Sequence, residues 1–230
     1  MQPIVVCENV SKVYGKKKAL DALSFSVHPG QIVGLLGANG AGKTTLMKLL
    51  AALLRDHSGE IRVLGETPGL KTKQHVAYLP DREFLYPWMS VADTLTFFGR
   101  SFPDFDLERA ERLIAELNLN PKDKVRALSK GMQERLGVAL TFSRRAKLYI
   151  LDEPLAAVDP STRSRIMEMI LGNFDPDSAI LISTHLVREV ESLFTHAAII
   201  DEGRLRLHGS IPELTKGSGQ SIEELFRALV

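Results

Sequence analysis

Residues 37–44 read Gly-Ala-Asn-Gly-Ala-Gly-Lys-Thr, between a β-branched run and a leucine-rich pattern. No other feature of the chain restricts its fold so tightly. Gln31 to Leu36, introduced by the turn Pro29-Gly30, predicts a buried strand. From Thr44 onward Leu46, Leu49, Leu50, Leu53 and Leu54 recur at spacings of three and four, which predicts a helix. A glycine-rich loop in that setting matches the phosphate-binding pattern G-x-x-x-x-G-K-[ST]. Gly37, Ala38, Asn39, Gly40, Ala41 and Gly42 let backbone amides converge on a phosphate. Lys43 supplies a flexible cation, the helix amino end adds its dipole, and the Thr44 hydroxyl is placed for Mg2+, with Thr45 next in line. The bland alternative is an ordinary strand-to-helix turn. Loop and setting together point to nucleotide binding.

The run Leu148-Tyr149-Ile150-Leu151 predicts a second buried strand that delivers Asp152 and Glu153 to its carboxyl end. There Asp152 can hold a magnesium ion, and the adjacent Glu153, facing the other way, can polarise an attacking water. Read alone, two acids after an apolar strand are as often a surface turn.

Strand patterns also appear at Ile4 to Cys7, Phe25 to Val27, Gly59 to Gly65, Val76 to Leu79, Ala179 to Ser183, Ala197 to Ile200 and Arg204 to Leu207. Helical patterns fall at Ser161 to Leu171 and Leu186 to Leu193. Strands alternating with helices predict an α/β fold with a largely parallel core sheet and an antiparallel N-terminal section. The stretch 82–145 differs: Ser90, Asp106 and Ser129 can each cap a helix, which predicts an inserted helical lobe. Residues 1–81 and 146–215 would then form the core. Lys216 to Ser221 reads as a flexible joint, followed by a C-terminal helix with the stripe Ile222, Leu225, Phe226 and Leu229, docked on its own core or on a partner.

The chain of 230 residues is 25% charged with a net charge of +1, which argues against a disordered polyelectrolyte and against a dedicated nucleic-acid protein. The run Lys12, Lys16, Lys17 and Lys18 reads as a solvated turn near the nucleotide, because no aromatic-studded basic groove accompanies it. Cys7, the single cysteine, is expected as a packed thiol in a strand. The N-terminus lacks the pattern of a signal peptide, and no stretch nears the roughly 18 apolar residues of a membrane span. A membrane role is therefore expected to run through a partner.

Together these segments resemble an ATP-binding-cassette (ABC) ATPase subunit, a P-loop NTPase, over the stretch from Tyr14 to at least His185. Leu128-Ser129-Lys130-Gly131-Met132 is similar to the family signature, Ala157-Val158-Asp159-Pro160 to its D-loop, and Ser183-Thr184-His185 to its switch-histidine region. The resemblance implies that Tyr14 stacks on adenine, that Glu153 is the catalytic glutamate, and that His185 senses the γ-phosphate. It further implies a head-to-tail homodimer with two ATP molecules at the interface. Ser129 and Gly131 of one copy, with Asp159 nearby, would face the nucleotide held by Lys43 of the other.

Three departures from the family pattern stand out, at four positions. Asp81 stands where glutamine is usual, and a carboxylate can reach metal or water but donates no amide hydrogen bond. Lys130 and Met132 replace glycine and glutamine, and Ala157 replaces glycine. The combination looks most like type-2 exporter ATPases, which pair with a separate membrane permease and sit at the cytoplasmic face of the cell membrane. Phe84 to Met89, rich in aromatics, reads either as lobe core or as a groove for that permease. The rival readings are a soluble ABC ATPase of translation or repair, and a regulatory module that binds ATP with negligible hydrolysis.

Overall fold

The computed structural model describes residues 2–156 and 158–230, so Ala157 of the D-loop segment lies outside the described residues. In chain order the strands are β1 (Val5–Tyr14), β2 (Lys17–Val27), β3 (Ile32–Leu36), β4 (Ser58–Val63), β5 (Val76–Leu79), β6 (Leu148–Asp152), β7 (Ala179–Thr184), β8 (His196–Asp201) and β9 (Arg204–Ser210). The α-helices are α1 (Lys43–Leu50), α2 (Leu70–Lys73), α3 (Val91–Ser101), α4 (Leu107–Glu116), α5 (Lys130–Phe142), α6 (Pro160–Gly172), α7 (Val187–Val190), α8 (Ile211–Ser218) and α9 (Ile222–Leu229).

Every residue of β3, β6 and β7 is buried, as their unbroken apolar runs require of strands covered on both faces. They lie in a six-stranded sheet of order β5-β6-β7-β3-β8-β9, parallel except for β9, which pairs antiparallel with β8. A second, antiparallel sheet of order β2-β1-β4 comes from the N-terminal section. Helix α1 contacts β2 and β4 of this sheet and β6 of the larger one. Its Leu46, Met47, Leu49 and Leu50 are buried in one apolar cluster with residues of both sheets. The other face of the large sheet packs against α3, α4, α5 and α6 in a second cluster.

Helices α3, α4 and α5 begin at Ser90, Asp106 and Ser129, whose side chains accept hydrogen bonds from the amides of Asp93, Arg109 and Met132. Arg144 joins this helical region to the start of β5. Its Nε donates to both oxygens of Asp104 (2.9 and 3.1 Å), and Nη1 donates to the Val76 carbonyl (2.9 Å). The guanidinium lies 4.3 Å from the Phe102 ring centroid.

Several expectations need correction. The segment from Lys216 is not a joint up to Ser221, because α8 continues through Ser218. A capping box between Ser210 and Glu213 starts that helix, and Gly219, at φ 67°, closes it with its N–H bonded to the Thr215 carbonyl. Only Gly219 and Gln220 separate it from Ser221, the cap of α9. The expected helix from Leu186 to Leu193 is a single α turn followed by a 3-10 turn at Glu191–Leu193. Strands β1 and β2 run much further than their apolar ends suggested, because register shifts in their pairing break the alternation. Lys12 is not a solvated turn residue: it lies in β1 and is only 8% exposed. In α9, Ile222 is buried and Leu225 and Phe226 pack on the chain's own core. Cys7 is a packed thiol whose pKa burial pushes up to about 12. Among the described residues, no helix is long and apolar enough to cross a membrane.

Candidate nucleotide site

The carboxyl ends of β3, β6 and β7 lie side by side, with Leu36 paired to Thr184 and Asp152 paired to Ser183. The phosphate loop leaves β3 at that edge and enters α1. Gly40 and Gly42 have φ of 84° and 112°, values that glycine adopts without strain. A Cβ at Gly42 would overlap the Ala19 carbonyl, and one at Gly37 would overlap the Ile200 carbonyl. The loop therefore sits against the backbones of β2 and β8 with no room for side chains at these two points.

Lys43 Nζ donates to the carbonyls of Gly37 (2.6 Å) and Ala38 (3.2 Å), which holds the cation inside its own loop. Burial lowers its pKa, and the nearby carboxylates of Glu153, Asp152 and Asp81 oppose that shift. Asp152 is 1% exposed. The Ser183 hydroxyl donates to its Oδ1 (2.6 Å), and Tyr78 OH approaches Oδ2 (3.5 Å). Ser183 Oγ also accepts from the backbone amide of Glu153 (3.0 Å), so one hydroxyl bridges both acids. Glu153, the residue that follows β6, has φ 52°, a left-handed conformation rare outside glycine. Its Oε2 accepts from His185 Nδ1 at 2.9 Å.

Tyr14, Asn39, Gly40, Gly42, Lys43, Thr44, Thr45, Asp81, Asp152 and Glu153 line one cleft of about 240 Å³. Gly37, Ala38 and Ala41 form the loop beneath it, and His185 reaches the cleft edge through Glu153. Ser129, Gly131 and Asp159 do not line this cleft. Ser129 caps α5, and Asp159 caps α6 with bonds from Ser161 Oγ (2.6 Å) and the Thr162 amide (3.0 Å), which depress its pKa. Asp81 faces both the cleft and a smaller cavity shared with Lys130. Burial first, and then the Asp152 charge, raise the Asp81 pKa, while Lys130, His185 and Lys43 pull it back.

Four residues of the site were not singled out as site residues by sequence reasoning. Lys17 and Ala19 of β2 line the cleft, with Lys17 paired across the hairpin to Tyr14. Tyr78 and Ser183 hold Asp152. Lys17 was hidden in a lysine run, and the strand pairing that brings it over the loop has no local signal.

Among the described residues that line the cleft, the oxygen donors are hydroxyls, carboxylates and the Asn39 amide, with no sulfur or imidazole. Among the described residues no cluster of three or more acidic, histidine or cysteine side chains forms a cage of its own. An oxygen set with few protein ligands suits Mg2+ shared with a phosphate rather than a structural metal. An α/β sheet with a phosphate loop and an acidic strand end beside it defines a P-loop nucleotide-binding protein.

Residues 20–156 match the family model described as "ABC transporter". The Nod factor export ATP-binding protein I of Cupriavidus metallidurans is 37% identical over 93% of this chain and 73% of its own length. The linearmycin resistance ATP-binding protein of Bacillus subtilis is 32% identical over 92% of this chain and 71% of its own. A solved ATP-binding subunit of an ABC transporter superposes with a TM-score of 0.89 at 26% identity, covering 98% of this chain and 99% of that one. The chain belongs to the ABC transporter family as an ATP-binding subunit, consistent with the type-2 exporter ATPases.

Proposed function

We propose that this chain hydrolyses ATP as one half of a head-to-tail homodimer and that the cycle drives export through a separate membrane permease. The observation that carries this reading is the convergence of Lys43, Thr44, Asp152 and Glu153 on one cleft, with His185 hydrogen-bonded to Glu153. In the proposed reaction the loop amides and Lys43 hold the β- and γ-phosphates, and Tyr14 offers a ring to the base. Glu153 orients a water in line with the γ-phosphorus and takes its proton. The water oxygen bonds to phosphorus as the bond to the bridging oxygen of ADP breaks, and Lys43 balances the charge on the departing oxygens. His185 fixes the Glu153 carboxylate and can report the γ-phosphate. Thr44, Asp152 and Asp81 are the donors that would hold Mg2+, which supplies charge neutralisation at the phosphates when bound.

Ser129, Gly131 and Asp159 lie at helix amino ends outside their own cleft, which supports their use by a second copy. An amino end offers unpaired amides and a positive dipole to the γ-phosphate of the opposite site. Tyr86 and Trp88 are exposed and packed on each other at 4.9 Å, while Phe84 joins the core. That exposed pair, continuous with Phe97, supports a contact with the permease, and with it a peripheral location at the cytoplasmic face of the membrane.

The test is Glu153→Gln. Turnover should fall by about 10²–10⁴-fold, the usual worth of a positioned general base, while ATP affinity is kept. Size-exclusion chromatography should then show a dimer that forms only with ATP. Wild-type turnover by this variant, or no ATP-dependent dimer, refutes the reading. Recovery from mild detergent with a multi-span protein supports the permease partner, and recovery without one counts against it.

A further inference from the structure

The one buried lysine of β1 sits beside the base-facing edge of the cleft without lining it. Lys12 is 8% exposed, and its Nζ lies 5.1 Å from the centroid of the Tyr14 ring. Tyr14 is 46% exposed and lines the cleft, whereas Lys12 does not. Lys12 thus meets the Tyr14 ring from outside the cleft lining. The backbone is built for this contact. Pairing between β1 and β2 is irregular on both sides of Lys12, between Val10 and Lys12 and again between Lys12 and Val13. Such irregularities re-aim side chains beside functional sites. The nearest acid, Asp56, stands 4.0 Å away with a fully exposed side chain, so it holds Lys12 only weakly.

We infer that Lys12 is a positioning residue for base recognition: its ammonium fixes the Tyr14 ring and draws electron density from it, which strengthens stacking of a purine on the opposite face. A cation over an aromatic face is attracted by the ring quadrupole, and it also makes the far face less repulsive to another electron-rich ring. Lys12 acts through Tyr14 and touches no phosphate. This inference rests on Tyr14 being the base platform.

The experiment titrates the full chain, by calorimetry with Mg2+, against ATP and against inorganic tripolyphosphate, which carries the phosphates without a base. Lys12→Met keeps the stem and removes the charge. It should weaken ATP by about two- to fivefold, the worth of one cation–π contact, and leave tripolyphosphate unchanged. Lys12→Arg should restore ATP affinity, and Lys12→Met should have no further effect in a Tyr14→Ala background. A melting curve separates folding from binding, since a merely structural role weakens both ligands together. Equal losses for the two ligands, or no loss for ATP while Tyr14→Ala does lose affinity, overturn the role of Lys12 alone. If Tyr14→Ala binds ATP as the wild type does, the base-platform reading falls and this inference with it.

Discussion

Ser183→Ala removes one oxygen and disturbs both acids of the site. Ser183 is fully buried, donates to Asp152 Oδ1 at 2.6 Å and accepts from the Glu153 amide at 3.0 Å. The two bonds are not equal in weight. The Glu153 amide also reaches the Ser183 backbone carbonyl at 3.2 Å, so it keeps a partner when the hydroxyl is gone. Among the described residues, the Asp152 side chain keeps only the long approach of Tyr78 at 3.5 Å. The loss is then essentially that of one buried, charge-assisted hydrogen bond, about 2–3 kcal/mol. Urea unfolding at unchanged m-value should show it as a lower midpoint. Because Ser183 fixes a carboxylate proposed to hold Mg2+, half-saturation of ATPase activity by Mg2+ should also move upward, by about 10–100-fold. A stability loss below about 0.5 kcal/mol with unaltered magnesium dependence would show that the hydroxyl positions nothing.

Two further outcomes concern stability. Arg144→Met leaves Asp104 and the Val76 carbonyl without their guanidinium and should cost about 3–5 kcal/mol in the same urea assay; a loss under 1 kcal/mol refutes its role as an interior tie. His208 is edge-on to Phe25, its buried Nε2 has no hydrogen-bond partner among the described residues, and burial lowers its pKa, with His196 and His28 lowering it further. His196 is also lowered by burial, partly offset by Glu213. Below the unfolded histidine pKa of about 6.5 the unfolded chain binds protons that the folded one resists. Stability is therefore full above that pH and falls as pH drops from about 6.5 toward the depressed folded values, by at most about 1.4 kcal/mol per pH unit per histidine. His208→Gln should flatten the decline in urea midpoints between pH 7.5 and 5.5, and an unchanged slope refutes the assignment.

The phosphate loop and the acidic strand end were legible because their chemistry is local: strand, glycines, lysine and helix follow one another within one stretch. The caps Ser90, Asp106 and Ser129 were legible for the same reason. Lys12 and Lys17 were not, because both looked like members of one basic run. A pair of register shifts buries the first and a hairpin pairing carries the second over the loop. The helix ending at Ser218 was missed because Gly217, Gly219 and the serines between and after them have the composition of a linker. There the capping box at Ser210 and the left-handed Gly219 decide the matter.

The site itself is a product of strand order. Gly37, Asp152 and Ser183 come from three separated stretches of chain, and they meet because β3 and β6 both pair with β7. Parallel pairing brings Asp152 opposite Ser183 and Leu36 opposite Thr184, so the three strands end at one level. Side chains alternate along a strand, so a slip of β7 by one residue would exchange Ser183 for Ile182 or Thr184 on the opposite face. Either exchange would break the bonds to Asp152 and Glu153 together. The burial of all six residues of β7 holds that register, since a slip would also misplace its apolar side chains on both faces. The same apolar run that reads as an unremarkable core strand thus sets the position of the two acids on which the proposed hydrolysis depends.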